Sequence, residues 1–577
     1  MAILTKRDGQ EVQGFLGVNL RQDRVSLADA ELAKAINADL HAQPGVIVLR
    51  AGRTKQNSTA LADQTIRRLA RINSVRYRVA ANSVYRGADQ IINGLSTNLY
   101  TTLMPFRPLN DTAIWAFIAD DGLMRKDDGT NTRKWGIAAP TATPSVGTTG
   151  TGLTGVYSVK YTYARVVGSA VAHESNPSPA SANQTLTNQN LSISGLTASS
   201  DPQVTHVRIY RTVAGGSEYL FDQQIANGTT TATSSQADTA LGDAVETDND
   251  VPPDAGGCVN WNDQAWIFHD PDNPHYLWRS KRFRPESVPA ANYLEIGNAD
   301  DPIMAASPMV GLLGVLTRRT KYRVVGSEAG GYLYQEAISK RGTPAGLGVK
   351  GTEAGTLFVA RDGVFLTNFI DADQELSAKI ARIFNGESVN GISAINWDAA
   401  STISVEAFKN RYYVALPTGS STTPDVLAVY SRDTRNWYFY DHPVRSLLYE
   451  EDTDDLTAGF TDGFVYVLED GTTDAGSDIE LDVETKDYFG GSPKLRKLFL
   501  YAKVDLDTDG DTVTLKLYVD GVLKRTITGY SSSRGKALIP FPEECMGFTW
   551  RIALTYTGRK AVKWYGAGAL WAPLEAA

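Results

Sequence analysis

The sequence predicts an all-β chain: a β-propeller of five or six blades, interrupted by an inserted β-sandwich and followed by a C-terminal, jelly-roll-like β-sandwich. Three observations predict it. First, an apolar run, a short polar break and a second apolar run recur, as at 357–366, 405–414 and 458–467. The starting points, near 261, 312, 357, 405 and 458, lie about 45–53 residues apart, the size of a four-stranded unit. Second, 51 glycines and 24 prolines among 577 residues supply the turns that many short strands need. Third, none of the ten tryptophans falls between 139 and 257, where Thr, Ser, Ala and Gly dominate, so a different module is set into the repeat.

In chain order, residues 1–60 read as an N-terminal arm and helix. Ser26, with Asp29 three positions later, precedes Leu27, Ala30, Leu32, Ala33, Ala35 and Ile36, a pattern that predicts a capped amphipathic helix over 27–40, stopped by Pro44-Gly45. Residues 61–138 alternate in strand fashion and are read as the first part of the propeller. Residues 139–257, opened by Pro140 and Pro144 and closed by Pro252-Pro253, contain short strands punctuated by glycine and read as an inserted sandwich. Insertion is tolerated where both joints lie on an exposed loop. Residues 258–477 return to tryptophan-bearing strand pairs and form the main part of the propeller, with one helical interruption expected at 372–385 from Leu376, Ile380 and Ile383. Residues 478–577 form the C-terminal sandwich. There the clean alternation of Val513-Thr-Leu-Lys-Leu-Tyr-Val519 predicts a strand buried on one face.

Apolar content of 42% and charged content of 21% fit a folded chain rather than a disordered one. No charged-then-apolar leader and no membrane-length apolar run is visible, so synthesis in the cytoplasm without these routes of export or anchoring is expected. Cys258 and Cys545 are too few for a disulfide framework or a cysteine zinc site and read as two buried thiols. The net charge of −9 is unevenly spread: +6 over 1–138, −6 over 139–257, −10 over 258–477 and +1 over 478–577. Such asymmetry bears on partners and association.

The search for chemistry returns structural readings. A glycosidase needs two carboxylates across a sugar, and 65 acidic residues give no specific pair. Ser431-Arg-Asp-Thr-Arg-Asn-Trp437 resembles the Asp-box turn of sialidases but has Arg435 in place of the glycine, and it reads as a turn. His269 and His275, with Asp270 and Asp272, are the only close histidine cluster, and two intervening prolines make that segment a turn before they make it a metal site. No phosphate-cradling loop and no nucleophile elbow is present. No catalytic residue, metal ligand or cofactor is therefore assigned. The basic run Arg67, Arg68, Arg71, Arg76 and Arg78 reads either as the plain solvent face of strands or as a candidate subunit or partner interface, both ahead of a nucleic-acid contact. Glu450, Glu451, Asp452, Asp454 and Asp455 form an acidic run without the ligand spacing of a calcium loop. They are a candidate exposed or channel-facing loop, whose negative charge would let DNA slide past.

Two resemblances carry a functional expectation. Within 139–257, the segments 157–163, 174–179, 204–212 and 238–241 resemble the fibronectin type III-like modules of phage structural proteins. At the N-terminus, Gly17-Val-Asn19, then 26–32, 35–40 and 45–52, look like the start of a class of bacteriophage tail proteins. With the domain order, they make the chain similar to the tail nozzle, or tail hub, of short-tailed phages, the packaged-DNA stabilisation proteins. That resemblance implies a structural virion protein without enzymatic activity. It implies a homohexameric ring below the portal-bound adaptor, extending a channel for DNA held without sequence-specific binding, and helping to retain and then release the genome at ejection. It also implies contacts with tailspikes or tail fibres and with a plug or needle. A receptor- or glycan-binding tail protein facing the host surface is the alternative, and a propeller glycosidase the third reading.

Overall fold

The computed structural model describes residues 7–96 and 100–574, and nearly all its regular structure is β-strand. Two compact units divide the chain, one within Met1–Leu69, Arg78–Ala81 and Ile338–Ala577, the other within Ala70–Tyr77 and Asn82–Ala337.

The repeat read from the sequence is a four-stranded antiparallel meander. Among the described residues it occurs seven times, over 66–93, 101–134, 257–295, 303–336, 349–375, 404–440 and 444–468, and not five or six times as expected. The five evenly spaced starting points are the five meanders after the insert, and the segment ahead of it, read as the first part of the propeller, holds two. The burial of each meander explains its sequence. The second strand lies mid-sheet with both faces covered, so Trp115–Asp120, Gln264–Phe268, Leu312–Thr317, Gly355–Ala360 and Arg411–Leu416 are buried at every position. Strands covered on both sides read as unbroken apolar runs. Fourth strands are solvent-facing, as in Tyr293–Glu295, Gly331–Glu336 and Gln374–Glu375. The exception is Asn436–Tyr440, buried throughout, because further strands continue its sheet. This repetition is that of a β-propeller.

The last meander supplies only three strands from 444–468. Its fourth is strand β5 (Arg53–Lys55), which pairs Tyr466 with Lys55, Val467 with Thr54 and Leu468 with Arg53. The preceding arm is also woven into sheets. Strand β1 (Asp8–Gln13) runs antiparallel to Lys563–Pro573, and β2 (Leu32–Ile36) runs antiparallel to Ile479–Thr485. Strands β3 (Ala38–Asp39) and β4 (Ile47–Leu49) pair with each other, and β4 pairs with Lys563–Pro573. The helix predicted over 27–40 is therefore replaced by β2 and β3. Leu32, Ala33 and Ala35 are all buried, so both faces of the segment are covered, and a short run buried on both faces mimics helical spacing. Asn37, at φ 55°, breaks the run in a conformation no helix interior has. The helical interruption expected at 372–385 is present but short, a 3-10 turn Ala378–Ile380 continued by Ala381–Phe384.

Strand β2 joins the 404–440 meander to the C-terminal sheet Ile479–Thr485, Trp550–Gly558, Val513–Val519, Val522–Tyr530, in that spatial order, which makes one nine-stranded sheet. The second C-terminal sheet centres on Lys563–Pro573 and Lys497–Asp507, with Gly535–Pro540 outside. Inward residues of both, among them Leu515, Leu517, Trp550, Ile552, Val504 and Trp571, share one core. The alternating burial of Val513–Val519 matches its alternating sequence.

Between the second and third meanders, two sheets pack around a separate core that includes Tyr157, Tyr161, Leu191, Val207 and Ile209. One sheet has the order Ser145–Tyr157, Gln184–Ser194, Ala232–Ser234. The other has the order Ala170–Glu174, Val159–Val167, His206–Arg211, Leu220–Ala226.

Candidate functional surfaces and buried charge clusters

The basic run lies on strands Ile66–Ile72 and Val75–Ala80. Arg67 and Arg78 are buried, at 2% and 6% exposure, and so do not belong to a solvent-facing interface. Arg68, Arg71 and Arg76 are half-buried. Arg67 and Arg68 instead act on Arg445, itself 2% exposed, whose Nη1 donates to the Thr402 carbonyl at 3.1 Å. Burial first, then the positive charge of Arg67 and Arg68, lowers the Arg445 guanidinium to about 10. Charge reversal at Arg67 or Arg78 would thus test folding rather than assembly.

The acidic run is the hairpin between Val444–Glu450 and Asp455–Phe460. Glu450 is buried and accepts a hydrogen bond from Thr457 Oγ1 at 3.1 Å, so it is part of the sheet and not of the loop surface. Glu451, Asp452 and Asp454 are exposed and Asp455 is half-buried. Asp454 is tied locally by Lys409 Nζ at 3.1 Å and Tyr449 OH at 3.2 Å. The His269–His275 segment is a turn: buried Asp270 accepts from the Asp272 backbone N–H at 2.8 Å and from Trp278 Nε1 at 3.1 Å. Ser431-Arg-Asp-Thr-Arg-Asn-Trp437 is likewise a turn, with Arg435 at φ 54° where the Asp-box has glycine. Cys258 and Cys545 are buried thiols.

Sequence spacing had no access to three charge clusters, each built around a buried arginine. In the first, Asp441, His442 and Asp474 bring ligand atoms within 4.8 Å of one another, a metal-like constellation. Its donors are already engaged. Arg50 donates to both Asp474 oxygens, at 2.8 and 2.7 Å, and to Asp441 at 3.2 Å. Arg53 Nη1 lies 3.2 Å from His442 Nδ1. Burial, then Arg50 and Arg53, pushes the imidazole well down, so it is neutral and accepts from Arg53. Guanidinium groups fill the place a cation would take.

The second cluster surrounds Arg411, which faces Glu469 at 3.3 Å and Asp39 at 3.5 Å. Tyr413 OH donates to Glu469 Oε1 at 3.0 Å, and burial raises the Glu469 carboxyl against the pull of Arg411.

The third joins the inserted module to the neighbouring meanders. Arg165 of the insert is bound by Glu286 at 2.9 Å and, through a short contact, by Asp111. Lys126 Nζ lies 2.7 Å from Glu286 and 4.5 Å above the Trp115 ring, and Trp115 Nε1 donates to Asp111 at 2.8 Å. Lys126 and Glu286 form a buried ion pair. Burial alone would raise Glu286, but Lys126, His173 and Arg165 outweigh it and hold the carboxyl at about 2. Burial lowers Lys126 to about 8 despite Glu286. The pair is therefore charged at neutral pH. His173, also buried, is pushed down to about 4 and accepts the Ile137 N–H at 3.3 Å.

Beside this cluster a groove of about 270 Å³ is lined by Asn110, His173, Glu174, Arg208, Tyr210 and Arg284, among others. Glu174 pairs with Arg208 and accepts from Tyr210 OH at 2.6 Å. Arg284 Nη1 donates to both oxygens of Glu246, at 2.9 and 2.8 Å. Glu174, Arg208, Glu246 and Arg284 are thus paired within the protein, as in a structural seam.

No protein-family model matches the chain, and no curated protein matches it. Among solved structures, BamB from Moraxella catarrhalis is 10% identical with TM-score 0.29, covering 73% of this chain and 97% of its own. YCF48 bound to D1 peptide is 7% identical with TM-score 0.25, covering 64% and 96%. Virginiamycin B lyase from Staphylococcus aureus is 8% identical with TM-score 0.25, covering 49% and 92%. At these scores the likenesses carry no argument about what the chain does.

Proposed function

We propose that the chain is a structural component of a short-tailed phage particle, a tail nozzle or hub that forms a ring and extends the DNA channel. The observation that carries this reading is architectural. Propeller meanders are interrupted after the second by an insert and followed by a sandwich into which the N-terminal arm is woven, the domain order of the nozzle resemblance. We read the insert as fibronectin type III-like. Two sheets, of three and four strands, packed around one core support that reading. We read the C-terminal pair of sheets as jelly-roll-like. In this role the chain is not an enzyme and needs no cofactor. It is a homohexamer whose partners are the portal-bound adaptor, tailspikes or fibres and a plug or needle, with DNA passing through the lumen. The buried ion pairs then hold modules rigid instead of serving chemistry. Negative-stain imaging of the purified full chain tests this: rings with a central hole are expected, and a strictly monomeric chain, alone and with purified portal–adaptor complexes, would overturn it.

One observation favours a second reading, a glycan-binding tail protein. Tyr276 and Tyr293 stack at 4.3 Å with Trp278 alongside, all only partly buried. Binding of the purified chain to host polysaccharide, lost in Trp278→Ala, would favour it over the nozzle.

A further inference from the structure

Two sheets of this chain end on solvent-exposed apolar edges. The outer strand Gly331–Glu336 has, among the described residues, no strand on its far side. On it Leu333 is 75% exposed, and Leu333 stands opposite Val325, itself 39% exposed. Segment 325–337 carries Glu328 and Glu336 and no Lys or Arg. The other edge is Val522–Tyr530, the last strand of the nine-stranded sheet. There Val522 and Leu523 are 56% and 47% exposed, and Leu538 on the adjoining edge strand Gly535–Pro540 is 55% exposed. Arg525 Nη1 ties these two strands together by donating to the Pro540 carbonyl at 2.6 Å. Segment 522–540 carries Lys524, Arg525, Arg534 and Lys536 and no acidic residue. Exposed edge strands are templates for pairing with another chain, and native proteins ordinarily blunt them.

We infer that copies of this chain join edge to edge, Gly331–Glu336 of one copy adding to Val522–Tyr530 of the next. Apolar side chains meet in the contact, and acidic and basic flanks are matched across it. Because the two edges differ, the contact is heterologous. Repeated, it closes into a ring or runs on as a filament. Backbone pairing supplies the attraction and the charge pattern selects the partner edge. The inference rests on the reading above that copies assemble, and it names the faces they use.

The test uses full-length Leu333→Asp and Leu523→Asp, both at exposed positions, with circular dichroism and melting as checks on the fold. Mass photometry and light scattering are expected to show assembled wild type and monomeric single variants. An equimolar mixture of the two variants is expected to give dimers and nothing larger, since it retains one compatible pair of edges. Assembly unchanged in both variants, loss in only one of them, or no dimer in the mixture would overturn the inference, as would a monomeric wild type. Rings that persist in both variants leave the nozzle reading standing and this one refuted. Filaments abolished by both variants do the reverse.

Discussion

Arg50 grips Asp474 through two parallel hydrogen bonds, Nη1 to Oδ1 at 2.8 Å and Nη2 to Oδ2 at 2.7 Å, across 424 positions of sequence. The arginine side chain is wholly buried and the aspartate nearly so. A planar fork on a carboxylate is strong and directional, and lysine cannot reproduce it. Removing one partner of a buried pair leaves an uncompensated charge, at a cost of about 3–5 kcal/mol. Arg50→Ala should therefore lower the melting temperature sharply, and Arg50→Lys should recover only part. A melting curve superimposable on wild type for Arg50→Ala would refute this role.

Glu286 answers two buried cations, Lys126 and Arg165. Glu286→Gln should destabilise the unit that carries the insert by about 3–5 kcal/mol. It should also expose the 139–257 joints to limited proteolysis. The double variant Lys126→Met/Glu286→Met, which removes both charges together, should be milder than the single one. Equal damage from both would show that packing, not charge, sets the cost.

His173 is held neutral, at about 4 against an ordinary 6.5. The unfolded chain takes up a proton there first, so as pH falls from about 6.5 to 4 the folded state loses up to about 3 kcal/mol. Glu286, at about 2 against 4.5, adds its own loss only below about pH 4.5. Stability measured from pH 7 to 5 should fall less steeply in His173→Gln, and parallel pH slopes would contradict the assignment.

A Cβ on Gly52 would stand 2.0 Å from the Thr473 carbonyl oxygen, far inside contact distance. Gly52 N–H also donates to the Gly471 carbonyl at 2.9 Å, next to β5. Gly52→Ala should force the backbone apart and cost about 1–3 kcal/mol. Wild-type melting would show that the loop yields without penalty.

Glu451 is exposed at a hairpin tip. Its replacement by lysine should leave melting unchanged within about 0.5 kcal/mol. If it lines the proposed channel, particles carrying the variant should eject DNA more slowly, and unaltered ejection would remove it from the lumen.

The β-class was legible because the second strand of five meanders, buried on both faces, writes an apolar run directly into the chain, as in Gln264–Phe268. The C-terminal sheet was legible at Val513–Val519, where one wet face enforces alternation. Leu32–Ile36 misled because its two covered faces erase that alternation and leave a spacing that also suits a helix. Blade number was hidden ahead of the insert, where the segment legible as the first part of the propeller holds two meanders. The charged runs misled differently: nearness in sequence suggested a common surface, yet Arg67, Arg78 and Glu450 turn inward while their neighbours stay wetter. Arg50–Asp474 and Arg165–Glu286 leave no local trace, since each partner's identity depends on where a distant strand returns.

The pairing of β5 with Val465–Leu468 sets a timetable for biosynthesis. Arg53–Lys55 leaves the ribosome roughly 400 residues before its partner strand, or about 20–80 s earlier at about 5–20 residues per second. During that interval β1, β2 and β4 also lack their C-terminal neighbours, so four strand-forming segments wait with unmet edges. Completion of the last sheet is thereby reserved for chains extended past Leu468, and a product truncated earlier is left with unpaired strand edges open to pairing with another chain.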